Sequence, residues 1–309
     1  MNVKKMTDIF NLCFCLVAVL FLFMYPSYCI DSAKDGVTTA LYIVLPSLFP
    51  FMVLSKYIIN NNIHIKVSKI IGKPFEKMFG ISKNYAVLFV LGCIGGYPIG
   101  AISISQLLKK REITIKDAEI LIGFCNNCGP MFVIGTVGTL MLQNTLYGYI
   151  LYAIHLISVM LCGIIMCRFF KPAKISVPVK SSTHQNSISS VVSSANSMLN
   201  IASYIIIFSV ISKFVTVSLK KENVVTIIVL CVLEITTGIK NISTTFLNDV
   251  LKLSIISASI GFAGFCVLSQ CKSVFDEQQI SFFKYIISKT IIAALSFVVS
   301  FITFSIILP

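Results

Sequence analysis

The sequence predicts an all-α polytopic membrane protein made of two inverted, transporter-like repeats with broken or re-entrant helices. Three observations carry that expectation. The 309-residue chain is 56% hydrophobic and only 12% charged, against about 25% charged residues in soluble domains, and its mean hydropathy is +0.91. Apolar stretches long enough to cross a bilayer recur along it, roughly eight or nine in all, near 9–30, 36–58, 85–108, 118–143, 145–170, 191–218, 224–247, 250–271 and 283–308. Glycine, proline and polar residues interrupt several of these stretches at corresponding places in two halves. No series of short alternating segments suggests a β-barrel.

The elements follow in order. Lys4 and Lys5 precede an apolar run over 9–25 that is longer than a signal-peptide core and lacks a small-residue cleavage site. It reads as an uncleaved transmembrane helix in an N-terminal unit, 1–35. The stretch 56–83 carries Lys56, Lys66, Lys69, Lys73, Lys77 and Lys83 against Glu76, and is expected to be a cytoplasmic loop. The N-terminus then lies inside, and a short loop with Asp31, Lys34 and Asp35 lies outside. Ile63, Val67, Ile70, Ile71, Phe75, Met78 and Phe79 recur at helical spacing opposite the lysines. They predict a basic amphipathic helix over 61–80 on the inner membrane surface, interrupted near Gly72 and Pro74. His64 reads as a loop residue.

If 85–108 crossed the membrane, Lys109, Lys110, Arg111 and Lys116 would face outside, and so would Arg168, Lys171, Lys174 and Lys180. A hairpin that enters and leaves on the cytoplasmic side removes both violations. Gly95, Gly96, Tyr97, Pro98 and Gly100 sit where that hairpin would turn, because glycine permits the turn and proline stops the helix. Non-helical backbone at membrane depth survives only under protein cover or beside a water-filled cavity, so the stretch points to a cavity. A kinked spanning helix whose glycines serve close packing is the alternative.

The first repeat is assigned to 36–170, a polar linker with Pro and Ser to 171–190, the second repeat to 191–271 and a C-terminal transmembrane helix to 272–309. In the first half LPSLFPFMVLSKYI (45–58) precedes the breakers and FCNNCGPMFVIGTVG (124–138) follows them. In the second, SANSMLNIASYIIIFSVIS (194–212) precedes LEITTGI (233–239), and GFAGFCVLSQ (261–270) follows. Helix 36–58 would start outside and helix 191–218 inside. Such inverted halves, with broken helices meeting near the midplane, are the arrangement of secondary transporters.

Glu234 is the only carboxylate deep in an apolar stretch, and an intramembrane acid marks a functional site by default. With Thr236, Thr237 and Gly238 beside it, it is expected to bind a coupling proton or cation, or a donor group of a solute. A structural carboxylate is the alternative. Asn126 and Asn127 precede Gly129 and Pro130, where a helix start would aim free backbone N–H groups at an anion. Asparagines bonding between helices are the alternative there. Gln270 completes the expected solute-binding set, Asn196 and Asn200 are lesser candidates, and His155 reads as a helix-packing residue.

The net charge of +13 does not make a nucleic-acid binder, since no basic domain exists. The eleven cysteines fall mostly inside apolar segments, where they act as small hydrophobes. Cys125 and Cys128 form a C-x-x-C, but no second Cys/His pair follows at zinc spacing, so no metal or other cofactor is expected. The metallopeptidase, P-loop, dinucleotide and serine-hydrolase motifs are missing, and no enzyme is expected.

GGYPIGA (95–101), NNCGPMFVIGTVG (126–138), EITTG (234–238) and GFAGFCVLSQ (261–270) together resemble the YlbJ-type sporulation integral membrane proteins. These are members of the nucleoside-recognition, or Gate, superfamily, with concentrative nucleoside transporters and the membrane part of ferrous-iron permeases. The resemblance covers about 45–270. Cys128 stands where a small hydroxyl residue is expected, and Leu268 where a polar one is common. The resemblance implies a role in spore maturation, in the cell membrane or outer forespore membrane of a spore-forming bacterium. It further implies movement of dipicolinate, a small aromatic dicarboxylate, from mother cell toward forespore. The implied partners are that anionic solute, membrane lipid and a coupling proton or cation, with a homo-oligomer left open. Two other readings stay open: a transporter of the same fold for a nucleoside-like solute or a metal ion, and a membrane assembly factor for cortex formation whose breakers serve packing alone.

Overall fold

The computed structural model describes residues 19–173, 187–219, 224–275 and 280–308, so most of the run over 9–25 and most of the linker 171–190 lie outside the described residues. Among the described residues the chain is helical, without a strand. In order the helices are α1 (Pro26–Asn60), α2 (Ile63–Phe79), α3 (Ala86–Gly95), α4 (Ile99–Lys109), α5 (Ile115–Cys125) and the π-helical α6 (Met131–Met141). They continue with α7 (Thr145–Phe170), α8 (Ser187–Leu219), α9 (Val224–Leu233), α10 (Ile235–Ser243), α11 (Asp249–Phe262), α12 (Gly264–Phe275) and α13 (Phe282–Ile307).

Among the described residues five helical runs are long and apolar enough to cross a membrane: α1, α7, α8, α11 with α12, and α13; a sixth results if α2 and the segment up to Gly95, bent by 116°, are taken as one. Of the other expected crossings, 9–30 lies partly outside the described residues, and three are shortened for a local reason. The stretches 85–108, 118–143 and 224–247 each divide at their breakers into helices of 9 to 11 residues. At 1.5 Å per residue such a helix reaches only about half of a roughly 30 Å hydrocarbon core.

The expected loop at Asp31, Lys34 and Asp35 does not exist, and no helix ends near residue 35. Cys29, Ser32, Gly36 and Ala40, three and four residues apart, form a buried stripe of small side chains, while the three charges between them point outward. This stripe packs α1 antiparallel along α8. Lys56 near one end bonds to Ser193, and Phe21, just ahead of α1, meets Phe214 near the other, with ring centroids 4.7 Å apart. Lys56 is thus a buried helical residue and not part of a loop.

Helix α2 is amphipathic as expected, with Lys66, Lys69, Lys73 and Lys77 exposed. It is not interrupted at Gly72 or Pro74. Pro74 lies on the exposed side, where water can serve the carbonyl its ring leaves without a donor. His64 is not a loop residue: it is buried within α2.

Helices α3 and α4 fold back on each other. Just before α3, Asn84 O accepts from Ser68 Oγ at 2.9 Å; just after α4, Glu112 meets His64 Nε2 at 3.2 Å. Both ends of the hairpin therefore meet α2, one helical turn apart. Lys110 joins the same face by donating to Ile59 O at 2.5 Å and Asn62 Oδ1 at 3.3 Å. Helices α5 and α6 instead run back along α7 as two half-helices. Asp117 in the first turn of α5 accepts from Ala173 N, past the end of α7, at 2.8 Å, while Gly138 in α6 packs on Gly148 near the start of α7.

Helices α9 and α10 form a hairpin whose entry sits at the end of α8, where Thr226 donates to Leu219 O at 3.2 Å. Helices α11 and α12 part at Ala263 and Gly264, both at positive φ (76° and 78°). Helix α13 runs beside α11, with Ser300 Oγ donating to Leu253 O at 3.3 Å.

Candidate functional site

Breaks at 96–98, at 126–130, at Glu234 and at Ala263 each part a pair of short helices, and within each half the two breaks touch. Gly96 has φ +82°, and a Cβ on it would stand 3.1 Å from Gly129 N. A Cβ on Gly100 would lie 2.6 Å from Asn126 Cα and would collide with Cys125 O. The glycines of 92–100 therefore let the first hairpin lay its backbone directly on the break of the α5–α6 pair. In the second half a Cβ on Gly264 would stand 3.2 Å from Ile235 N and 3.3 Å from Leu233 O, so the break of α11–α12 lies on the tip of the second hairpin.

A cavity of about 880 Å³, its open mouth included, lies where these breaks face α1 and α8. Gly95, Gly96 and Tyr97 line it from the first hairpin, and Gly129 and Met131 from the start of α6. Glu234 and Thr236 line it from the second hairpin, Cys266 and Gln270 from α12, and Leu48 and Ile201 from α1 and α8. Of the expected solute-binding residues, Gly95, Gly96, Tyr97, Gly129, Glu234, Thr236 and Gln270 meet at this cavity; Pro98, Gly100, Asn126, Asn127, Thr237 and Gly238 are not in its wall.

Glu234 is 7% exposed and has a defined task in its own helix. It is the N-cap of α10: Oε1 accepts from Thr236 N at 2.9 Å and Oε2 from Thr237 N at 2.7 Å. A carboxylate there satisfies two otherwise free N–H groups and sits at the positive end of the helix dipole. Gln270 bonds to Cys266 Sγ at 3.3 Å.

No protein-family model and no solved structure matches the chain. The sporulation integral membrane protein YlbJ of Bacillus subtilis (strain 168) is 25% identical over 330 residues, which covers 94% of this chain and 81% of that protein. The chain is YlbJ-like. The resemblance carried by the motifs at the breaks thus extends over nearly the whole length. Together with its five long apolar helices, it makes the chain a multi-pass integral membrane protein.

Behind the cavity of this YlbJ-like chain, Asn126 is a fully buried hub. Its Oδ1 accepts from Ala101 N at 3.2 Å, and its Nδ2 donates to Tyr285 OH at 2.7 Å and to Cys271 Sγ at 3.0 Å. Asn127 Nδ2 donates to Phe124 O at 2.6 Å. His155 is buried, and its Nε2 accepts from Cys128 N at 3.2 Å, so it ties α7 to the break. Tyr97 OH, Asn127 Oδ1 and His155 Nδ1 are buried and have no hydrogen-bond partner among the described residues.

Sequence reasoning missed Lys289. This lysine is in the third turn of α13 and is 0% exposed. Its Nζ donates to Asn126 O and stands 5.0 Å from the centroid of the Tyr97 ring and 5.5 Å from that of Tyr285. No carboxylate pairs with it among the described residues. The signal was available: Lys289 interrupts the apolar run of 283–308, and the rule that singled out Glu234 applies equally to an intramembrane lysine.

At the base of the first hairpin, away from the cavity, burial foremost and then the charge of Lys110 hold His64 down to a pKa of about 4. Burial raises the carboxyl of Glu112 above its usual range. His64 is therefore neutral at neutral pH, and its contact with Glu112 is a hydrogen bond that locks the hairpin onto α2.

Proposed function

We propose that this YlbJ-like chain is a sporulation membrane transporter that moves a small organic anion from the mother cell toward the forespore. By its family likeness the solute is dipicolinate and the membrane the outer forespore membrane. The observation that carries the reading is the convergence of two broken elements from each half on one cavity. Helices α6 and α12 begin at or within one turn of it, with Met131 and Cys266 in its wall, whereas the start of α10 is already met by the Glu234 carboxylate. Half-helix starts carry the positive ends of their dipoles, which favours an anion, and irregular backbone in a membrane belongs beside a water-filled cavity.

The order of elements supports two inverted repeats. One is α1, the α3–α4 hairpin, the α5–α6 pair and α7; the other is α8, the α9–α10 hairpin, the α11–α12 pair and α13. In this reading the second repeat runs on through the C-terminal helix, and the two hairpins enter from opposite faces. The lysines of α2 face the cytoplasm and anionic lipid. The coupling proton or cation belongs at Glu234, on the cavity side of its cap. For a metal-ion cargo the donors are wanting, since among the described residues no three His, Cys, Asp or Glu side chains group to hold one.

The test is complementation. A sporulating strain lacking its own protein of this type is expected to make spores poor in dipicolinate, and this chain to restore the content. Restored spore cortex with unchanged dipicolinate content would favour the assembly-factor reading instead.

A further inference from the structure

We infer that Lys289 is the charge that receives the carboxylate of the solute, and that the Tyr97 ring is the movable partition between Lys289 and the cavity. The inference rests on the transport reading and names the group that recognises its anion. An ammonium has three N–H donors, and taking it out of water costs several kcal/mol unless it is paired and fully bonded. Among the described residues Lys289 makes one hydrogen bond, to Asn126 O, and the rings of Tyr97 and Tyr285 stand beside it. Aromatic faces offset part of the desolvation, about 2 kcal/mol at best, and leave the charge open to a better partner.

Tyr97 connects this charge to the solute space. One ring both lines the cavity and stands over Lys289. Its hydroxyl is buried without a hydrogen-bond partner, so no bond holds the ring in place. In the proposed exchange the ring turns about its side-chain bonds and uncovers the ammonium. A planar aromatic carboxylate fits the exchange. Its charge completes Lys289, and its ring takes the place of the tyrosine ring beside the apolar wall of Leu48 and Phe132.

The experiment is calorimetric titration of the purified full-length chain in detergent, with dipicolinate and with its neutral diamide. Wild type is expected to bind dipicolinate and not the diamide. Lys289→Met should weaken dipicolinate binding ~30-fold or more, the effect of losing one partner of a buried charge pair. Lys56→Met should bind as wild type does. Should Lys289→Met fail to fold, Lys289→Gln, which can still donate to Asn126 O, takes its place with the same expectation. Wild-type affinity in the Lys289 variant overturns the inference and leaves anion transport standing; equal binding of the diamide by wild type overturns the inference and counts against the anion reading as well. Binding of neither compound by wild type overturns the inference together with the anion reading beneath it.

Discussion

Lys56 and Lys289 are both buried lysines in a membrane protein, and they are held in opposite ways. Lys56 Nζ donates to Ser193 O at 2.7 Å, Ser193 Oγ at 2.8 Å and Ser197 Oγ at 2.9 Å. All three donors are used, and α1 is pinned to α8. Lys289 has one carbonyl and two ring faces, at a chain break, behind a residue that lines the cavity. A fully bonded cation needs nothing more and serves structure. A partly bonded one, kept despite its cost, is suited to a ligand. Both are lysines with little exposure, Lys289 the deeper of the two; the completeness of bonding separates bolt from binding group.

The largest expected effect tests the frame that holds Lys289. Gly100→Ala would put a methyl 2.6 Å from Asn126 Cα, and Gly238→Ala one 2.6 Å from Cys231 N. Backbone stands against backbone at both places, so neither site can yield cheaply and the strain exceeds the roughly 1–3 kcal/mol of ordinary overpacking. Both variants are expected to lose most folded protein from the membrane fraction. Normal abundance of either variant would loosen the seat of Lys289.

Next comes the contrast itself. Lys56→Met removes three hydrogen bonds that pin α1 to α8; Ser193 is exposed and Ser197 half-buried, so the cost is about 1 kcal/mol, seen as a slightly lower thermal midpoint. Lys289→Met removes an unpaired buried charge but leaves Asn126 O without its donor; Lys289→Gln, which can still donate there, is expected to leave the midpoint unchanged or raise it. Equal falls in Lys56→Met and Lys289→Gln would erase the distinction.

A smaller change is expected at Glu234. Glu234→Gln keeps one acceptor for the start of α10 but loses the charge, costing about 0.3–1 kcal/mol. A wild-type midpoint would show that the cap carries no weight.

The smallest concerns pH. The folded pKa of His64 lies below its unfolded value, so the unfolded chain takes up the proton first. Stability from this site is fully present above about pH 6.5 and is lost as pH falls toward about 4. Glu112, whose folded pKa is raised, acts with the opposite sign. The net expectation is a modest loss of thermal stability between pH 7 and 5 that His64→Gln removes; an unchanged slope in that variant would assign the loss elsewhere.

Much of this was legible in the sequence, and what escaped did so for physical reasons. Loop charges and clustered breakers were enough to predict the hairpin at 85–108, because both signals are local. The continuity of α1 was hidden by Asp31, Lys34 and Asp35, which look like a loop, although the small residues at 29, 32, 36 and 40 already spelled a packing stripe. Glu234 stood out as a lone acid, but its cap role depends on the break immediately after it. Asn126 and Lys289 are a different case. Residues 101, 271, 285 and 289 meet Asn126 only through tertiary packing. No spacing rule joins positions that far apart, so the asparagine read as a solute ligand and the lysine went unread.

The most direct measurement sets Lys56→Met and Lys289→Met side by side in reconstituted vesicles, recording dipicolinate uptake per folded molecule. Lys56→Met is expected to transport at close to the wild-type rate per folded molecule, and Lys289→Met at the level of protein-free vesicles. Wild-type uptake by Lys289→Met would contradict the account.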